Sequence, residues 1–473
     1  MTRISRTYAD LEIGQSAAIT RVVTPEDLYV FAHVSGNLNP LNLPATAGHN
    51  GGGGGAEEHP APSMWLGSLF SAVLGNLLPG PGTAYESQTL RFISPAHVGD
   101  TLTVSVEVTG KIPPRTVVLA TVVRRGAQVI AEGVAEVRPP AEHAVVEDTQ
   151  LPGVTVARHR HVERLLAVCA GLPPMRTAVV APEDEVSLLG AVAGARAGLI
   201  VPLLIGNAAR IRSIAAACGA DLAGCEIEDA ASDDAAAARA VEMVRQGAAA
   251  TLMKGHLHTD ALLRHVVKSD GGLRTGRRIS HVYVLDAPSL PELILVTDAA
   301  INIAPTLDDK VDIVQNAIDV ALALGIAVPK VGILAAVETV NPKMQSTLDA
   351  AALSKMSERG QIRGGLVDGP LAMDNAISLL AARAKGLTSK VAGRADILVA
   401  PNLEAGNILA KEFTFAAQAE GAGLVVGAKV PVLLTSRSDG ELSRLFSCAV
   451  AVLFSHWQTT GRSALAPAAG EAA

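Results

Sequence analysis

ADILVAPNLEAGNILAKEF, residues 395–413, holds three things in order. Residues 397–400 are a short unbroken apolar run, Pro401 and Asn402 punctuate it, and a helix is expected to start over residues 407–412. A buried strand, a tight turn and a helix within twenty residues is the repeating unit of a parallel α/β sheet. The same texture recurs in TAVVAP (177–182), IVPLLIG (200–206), ISHVYVLD (279–286), LILVTD (293–298), VGILAAV (331–337), GLVVGA (423–428) and PVLLT (431–435). Alanine-rich helical stretches such as 233–246 and 309–324 separate most of these runs. Residues 155–467 therefore read as one α/β domain, large enough for two lobes with a cleft between them. In sheets of this kind the reactive side chains lie at the carboxyl ends of strands.

Residues 1–138 have a different texture. TLTVSVEVTG (101–110), TVVLATVVRRG (116–126) and QVIAEGVAEVRP (128–139) alternate with period two, the mark of half-buried antiparallel strands. SMWLGSLFSAVLGNLL (63–78) precedes them as a long apolar helix closed by Pro79-Gly80-Pro81-Gly82. A helix wrapped by a long curved sheet is the expected α+β arrangement. Residues 139–154 lack periodicity and read as a linker, and the polyglycine run at 51–55 as a loop.

Composition removes several classes of function. With 39 Lys and Arg against 46 Asp and Glu, the net charge of −7 disfavours nucleic acid or an anionic membrane as partner. Aromatic residues are 3% of the chain, too few for a base-stacking platform. The most apolar window, 186–205, contains Arg196 and Pro202 and is expected to be a buried helix followed by a buried strand, with no membrane span. Residues 1–14 carry Tyr8, Asp10 and Glu12, which no signal peptide would. The four cysteines form no C-x-x-C pair, so a cytoplasmic protein with reduced thiols is expected. The close histidine pairs RHRH (158–161) and HLH (256–258) lack the spacing and third ligand of a zinc site, so no metal is expected.

FAHVSGNLNPLNL (31–43), with LPGPGTAYESQTLRFISPAHVGDTLTVSVEV (78–108), resembles the MaoC-like hot-dog family of (R)-specific enoyl-CoA hydratases. The resemblance covers most of residues 8–138 and implies a hot-dog fold, an acyl-CoA ligand and a dimer. The family pattern F-A-x-x-S-G-D-x-N-P-[IL]-H puts its catalytic Asp on Asn37 and its catalytic His on Asn42 of this chain. The H-G-M segment that opens the family's helix reads Pro62-Ser63-Met64, so Ser63 replaces the glycine whose amide polarises the thioester. Hydration needs one group to deprotonate water and one to protonate carbon, and an amide does neither near neutral pH. The expectation is a catalytically impaired domain kept for dimerisation or for docking CoA esters.

RGGLVDGPLAMDNAIS (363–378), ADILVAPNLEAGNILAKEF, GLVVGAKVPVLLTSRSD (423–439) and TLMKGHLHTDALLRHVV (251–267) resemble the phosphotransacetylase/phosphotransbutyrylase family over about residues 155–465. That resemblance implies two lobes of isocitrate/isopropylmalate dehydrogenase-like topology, a homodimer, and transfer of an acyl group, acetyl to butyryl, between coenzyme A and phosphate. No cofactor is implied, since acyl-CoA and phosphate are themselves the substrates. It also implies roles for Ser436 as donor to the developing oxyanion and for Arg437 as a bidentate phosphate fork, just after PVLLT. Lys254 and Arg264 are the matching substrate-side cations, Arg264 toward CoA. Asn402, Glu404, Gly406 and Asn407 follow the strand ADILVAP, where a glycine and a helix start favour an anion. Asp368 and Gly369 are expected to form a turn. Acetyl-specific members carry an Asp seven positions after the motif Ser, where this chain has Ser443. Asp439 is then the nearest carboxylate for the base, with Glu404 a second candidate.

The expected activity is thus a phosphate acyltransferase. A bifunctional protein with a working hydratase is the alternative enzyme, and a non-catalytic CoA-ester-binding scaffold the alternative of another class. A dehydrogenase on the same fold would need aspartates in a D-x-x-x-D pattern, which the spacing of Asp368 and Asp374 does not give.

Overall fold

The computed structural model describes residues 2–43, 60–147, 154, 156–435 and 439–465. The polyglycine loop, Ser436 and Arg437 lie outside the described residues. The chain divides into two compact units, Met1–Val156 and Ala157–Ala473.

The first unit contains β1 (Thr2–Ile4), β2 (Ser16–Val22), α1 (Pro25–Ser35), α2 (Ser63–Asn76), β3 (Ala84–Phe92), β4 (Thr101–Ile112), β5 (Thr116–Arg125), β6 (Gln128–Arg138) and β7 (Val145–Glu147). β2-β4-β5-β6-β3 form one antiparallel five-stranded sheet. Along β4 every second side chain is buried, as period two requires: Leu102, Val104, Val106 and Val108 all face inward. Against them α2 buries Trp65, Leu69 and Val73 at four-residue spacing, with Leu66 and Phe70 alongside. Each such side chain contributes about 1.5–3 kcal/mol of apolar burial, which holds the helix inside the curve of the sheet. This is the hot-dog arrangement expected from the sequence. The stretch expected to be a linker departs from expectation, because β7 pairs antiparallel with β1. Both are three-residue strands without alternating hydrophobicity, so only the pairing makes them legible.

The second unit alternates strands and helices: α3 (Arg160–Cys169), β8 (Met175–Val180), α4 (Glu185–Arg196), β9 (Ile200–Gly206), α5 (Ala208–Cys218), β10 (Glu226–Asp229), α6 (Asp233–Arg245), β11 (Thr251–Lys254), α7 (Thr259–Val266), β12 (Ser280–Asp286) and β13 (Ile294–Thr297). It continues with α8 (Leu307–Ala323), β14 (Lys330–Leu334), α9 (Gln345–Glu358), β15 (Leu366–Leu371), α10 (Met373–Ile377), α11 (Leu379–Ala384), β16 (Ile397–Val399), α12 (Leu403–Phe415), β17 (Glu420–Val426), β18 (Val432–Leu433) and α13 (Glu441–Thr460). Eleven strands make one sheet in the order β10-β9-β8-β11-β18-β17-β12-β13-β16-β14-β15. It is parallel from β10 to β18 and again from β13 to β15, and antiparallel where β17 and β12 join the two blocks. The two parallel blocks therefore run in opposite senses, and β18 and β13 flank the central pair with their carboxyl ends toward opposite edges.

The apolar window at 186–205 is the buried helix α4 followed by the buried strand β9. Among the described residues no helix is long and apolar enough to cross a membrane. Asp368 and Gly369 do not form a turn but lie within β15, where Gly369 is packed so tightly that a Cβ would come 2.8 Å from the Ile333 carbonyl oxygen. The helix after β16 begins four residues earlier than expected, at Leu403, because the Asn402 side chain caps it by accepting from the Ala405 N–H at 3.0 Å.

Candidate active site

A cavity of about 570 Å³ opens on the face of β12 and β17, between the chain leaving β18 and the chain leaving β13. Its floor is His281 and Tyr283, two positions apart on β12 and so on one face of the sheet, with ring centroids 5.7 Å apart. Thr435 borders it just after β18, Ala299 and Ala300 just after β13, Asn407 from α12, Asp439 just before α13 and Ser443 from its first turn.

Asp298 organises the β13 side. Its buried carboxylate accepts from the N–H groups of Ala300 and Ile301 (2.9 Å each) and Asn302 (3.2 Å), and from Asn302 Nδ2 (2.6 Å). Asn302 also donates to the Ile279 carbonyl at 2.9 Å and accepts from Arg278 Nε at 2.8 Å. The loop is thereby fixed by a carboxylate whose acceptor capacity is met by backbone donors. Helix α12 packs directly on it: a Cβ on Gly406 would stand 2.1 Å from the Asp298 carbonyl oxygen, so only glycine allows the approach. Asn407 Nδ2 donates to the Ala299 carbonyl at 3.1 Å.

Arg444 organises the β18 side. It is buried, its Nη1 donates to Thr435 Oγ1 at 2.9 Å and its Nε to the Asp439 carbonyl at 3.3 Å. One guanidinium thus holds the residues on both sides of Ser436-Arg437-Ser438. Burial lowers its pKa, against the charges of Asp439 and Asp184. Room for it comes from Gly190 on α4, where a Cβ would lie 2.4 Å from Arg444 Cδ. Ser443 Oγ donates to Glu420, a second carboxylate bordering the cavity. Burial, with Asp439 and Glu420 adding to it, pushes the Tyr283 phenol up to about 12. Burial pushes His281 the other way, down to about 4, against the charge of Asp298.

Of the residues singled out in the sequence, Asp439 and Asn407 border the cavity and Gly406 lies behind its wall. Asn402 is a helix cap, and Glu404, the second candidate base, is on the exposed first turn of α12 outside the lining. Asp368 is on the edge strand β15, where it accepts from Ser389 Oγ and from the Gly369 N–H at 2.8 Å. Those bonds tie it to β15 and to the loop holding Ser389, outside the cavity lining. Lys254 is buried at the end of β11, its Nζ donating to the carbonyls of Gly255 (3.2 Å) and Leu257 (3.3 Å). Arg264 is a surface residue, 67% exposed, paired with Asp234 at 3.3 Å. His281, Tyr283, Asp298, Glu420 and Arg444 escape a motif search, because they reach the site from four separate segments of the chain. Only Asp298 leaves a trace, as the carboxylate ending the strand LILVTD.

In the first unit, Asn37 Oδ1 accepts from the Asn39 N–H at 3.2 Å, and Asn39 Oδ1 accepts from the Leu41 N–H at 3.1 Å. Asn42 Nδ2 donates to the Pro60 carbonyl at 3.0 Å. The two asparagines at the hydratase positions are thus engaged with local backbone, and Ser63 is exposed at the start of α2.

Residues 232–452 match the family described as phosphate acetyl/butaryl (butyryl) transferase, and residues 11–128 the family described as MaoC like domain. The chain is 55% identical over 292 residues to a phosphate acetyltransferase of Rhizobium meliloti, covering 62% of this chain and 92% of that one. It is 45% identical over 278 residues to a phosphate butyryltransferase of Clostridium acetobutylicum, covering 59% of this chain and 92% of that one. Among solved structures, a branched-chain phosphotransacylase from Enterococcus faecalis matches with a TM-score of 0.53 at 31% identity, covering 60% of this chain and 99% of that one.

The packing of α12 on the Asp298 loop makes a direct prediction. Gly406→Ala should cost about 1–3 kcal/mol in urea unfolding, because neither backbone can give way cheaply. Glu404→Ala, two residues away on the exposed face, should stay within about 0.5 kcal/mol.

Proposed function

The chain belongs to the phosphate acetyl/butyryl transferase family and moves an acyl group between coenzyme A and inorganic phosphate; from that premise we propose that the transfer takes place in the cavity on β12 and β17, with Ser436, Arg437 and Asp439 as its reacting side chains. The observation that carries this reading is Arg444: it grips Thr435 and Asp439, which both border the cavity, on either side of the Ser436-Arg437 segment. In the reaction a phosphate oxygen adds to the thioester carbonyl carbon and the carbonyl π pair moves to oxygen. The C=O re-forms as the C–S bond breaks, and the proton of hydrogen phosphate ends on the departing thiolate. Arg437 binds phosphate through its two-pronged fork, Ser436 donates to the oxyanion, and Asp439 carries the proton. Holding both substrates side by side supplies much of the acceleration, and the chemistry calls for no metal and no cofactor.

Finer features follow from the same reading. The apolar wall of Tyr283, Phe415 and Leu434 supports acyl groups from acetyl to butyryl. Arg264 is assigned to the distal end of CoA, since a surface ion pair as exposed as Arg264–Asp234 exchanges readily for a phosphate. The parallel–antiparallel–parallel sheet supports the isocitrate/isopropylmalate dehydrogenase-like topology. Large apolar side chains left in solvent, Leu380, Ile408 and Phe415 among them, support a homodimer. Four unpaired cysteines support a cytoplasmic location. The MaoC-like unit is assigned no hydratase activity, its asparagines being engaged with backbone.

The test is CoA release from acetyl-, propionyl- and butyryl-CoA with and without phosphate, in the presence of a chelator. Phosphate-dependent release that survives chelation is expected, and release independent of phosphate would refute the reading. Arg437→Lys should raise the phosphate requirement or cut turnover about ten- to hundredfold, since one charge-assisted hydrogen bond is worth about 1.5–3 kcal/mol; initial rates against phosphate concentration measure it. Crotonyl-CoA should keep its enoyl-thioester absorbance when mixed with the protein. Two missing acid–base groups, each contributing about 10²–10⁴-fold, leave little above background.

A further inference from the structure

His281 is a polar side chain that the reading above leaves without a task. It is 5% exposed and sits on the cavity floor. Tyr283 stacks along one side of its ring. On β17, Gly423 makes space, for a Cβ there would come 3.0 Å from Nε2. The main chain at this point is fixed, because Thr297 Oγ1 donates to the His281 carbonyl at 2.9 Å. The surrounding polar groups have partners: Asp298 through the loop N–H groups, Asn302 through Asp298, Ile279 and Arg278, and Ser443 through Glu420. His281 Nδ1 has none, and it is closed off from solvent. Buried polar atoms without partners are rare, and replacing such a group by an apolar one of the same size generally does not harm a fold.

The environment also sets the form of the ring. Burial outweighs the charge of Asp298, so the imidazole is neutral over the working range. A neutral imidazole carries one proton. On Nδ1 that proton would be a stranded donor, whereas a bare lone pair there is the smaller penalty. The proton therefore belongs on Nε2, the atom left to meet a ligand. The walls beside it, Ala299, Leu434 and the Tyr283 ring, suit an acyl group better than a dianion.

We propose that His281 is a catalytic residue, the uncharged donor whose Nε2–H binds the acyl carbonyl oxygen and holds the oxyanion. This rests on the acyl-transfer reading of the cavity. A fixed neutral donor strengthens its bond as charge builds on that oxygen, and being uncharged it does not compete with Arg437 for phosphate.

The test uses the full chain, phosphate, and whichever of acetyl-, propionyl- or butyryl-CoA turns over fastest. Wild type is compared with H281L, which fills a similar volume without a polar atom, and H281Q, whose amide nitrogen reaches near the Nε2 position. H281L should lose 10²–10³-fold in kcat, the cost of one oxyanion donor, with KM for phosphate within about threefold. Its melting temperature should equal or exceed that of wild type. H281Q should recover at least tenfold over H281L and keep the wild-type pH profile between pH 6 and 8. An active wild type with an H281L variant within about threefold of it sinks this assignment alone, as does a loss that H281Q fails to recover or that comes with a lower melting temperature. A neutral-pH inflection that vanishes in H281Q would make the ring a proton carrier and overturn the donor role. A wild type that releases no CoA sinks the acyl-transfer reading and this assignment with it.

Discussion

The second unit depends on one buried carboxylate. Asp298 ends β13 and gathers the N–H groups of the next residues into a closed loop, with Asn302 and Arg278 completing the outer ring of bonds. Such a carboxylate tolerates burial only because its acceptor sites are filled. Everything on that side of the cavity is then placed by contact. Gly406 brings α12 onto the Asp298 carbonyl, Asn407 ties to Ala299, and the helix forms the wall that encloses His281 and Tyr283. Without the carboxylate, those backbone N–H groups would be left to face an apolar interior.

Arg444 does for the opposite side what Asp298 does for this one. A guanidinium reaching two points at once ties the Thr435 hydroxyl to the Asp439 carbonyl. Its own placement depends on a glycine in α4, so a helix far from Thr435 in sequence bears on how Thr435 is held. The two anchors have opposite charge and sit on opposite sides of the antiparallel pair.

The two units stand in contrast. In the second, the polar groups around the cavity converge on a space. In the first, the amides at the hydratase positions turn toward their own chain: Asn37 toward Asn39, and Asn42 toward Pro60. The apolar packing of α2 on the sheet depends on Trp65, Leu69 and Val73 and not on Asn37, Asn42 or Ser63.

Local signals were enough for part of this. Period-two alternation in β4 to β6, the apolar helix α2, the strand–turn–helix units of the second unit and the Ser436-Arg437 motif can all be read from short windows, since backbone geometry and neighbouring residues determine them. So can the amides that stand at Asn37 and Asn42. What the windows could not give is any relation between distant segments. The short strands β1 and β7 exist only because they pair. Asp368 reads as a turn residue until β14 supplies a neighbouring strand, and Gly406 reads as an anion-binding glycine until the Asp298 carbonyl is set against it. Which carboxylates and cations face the cavity, Glu420 and Asp439 but neither Glu404 nor Asp368, was decided by tertiary structure alone. A side chain's chemistry is carried in the sequence, but its burial, its partners and therefore its charge depend on residues hundreds of positions away.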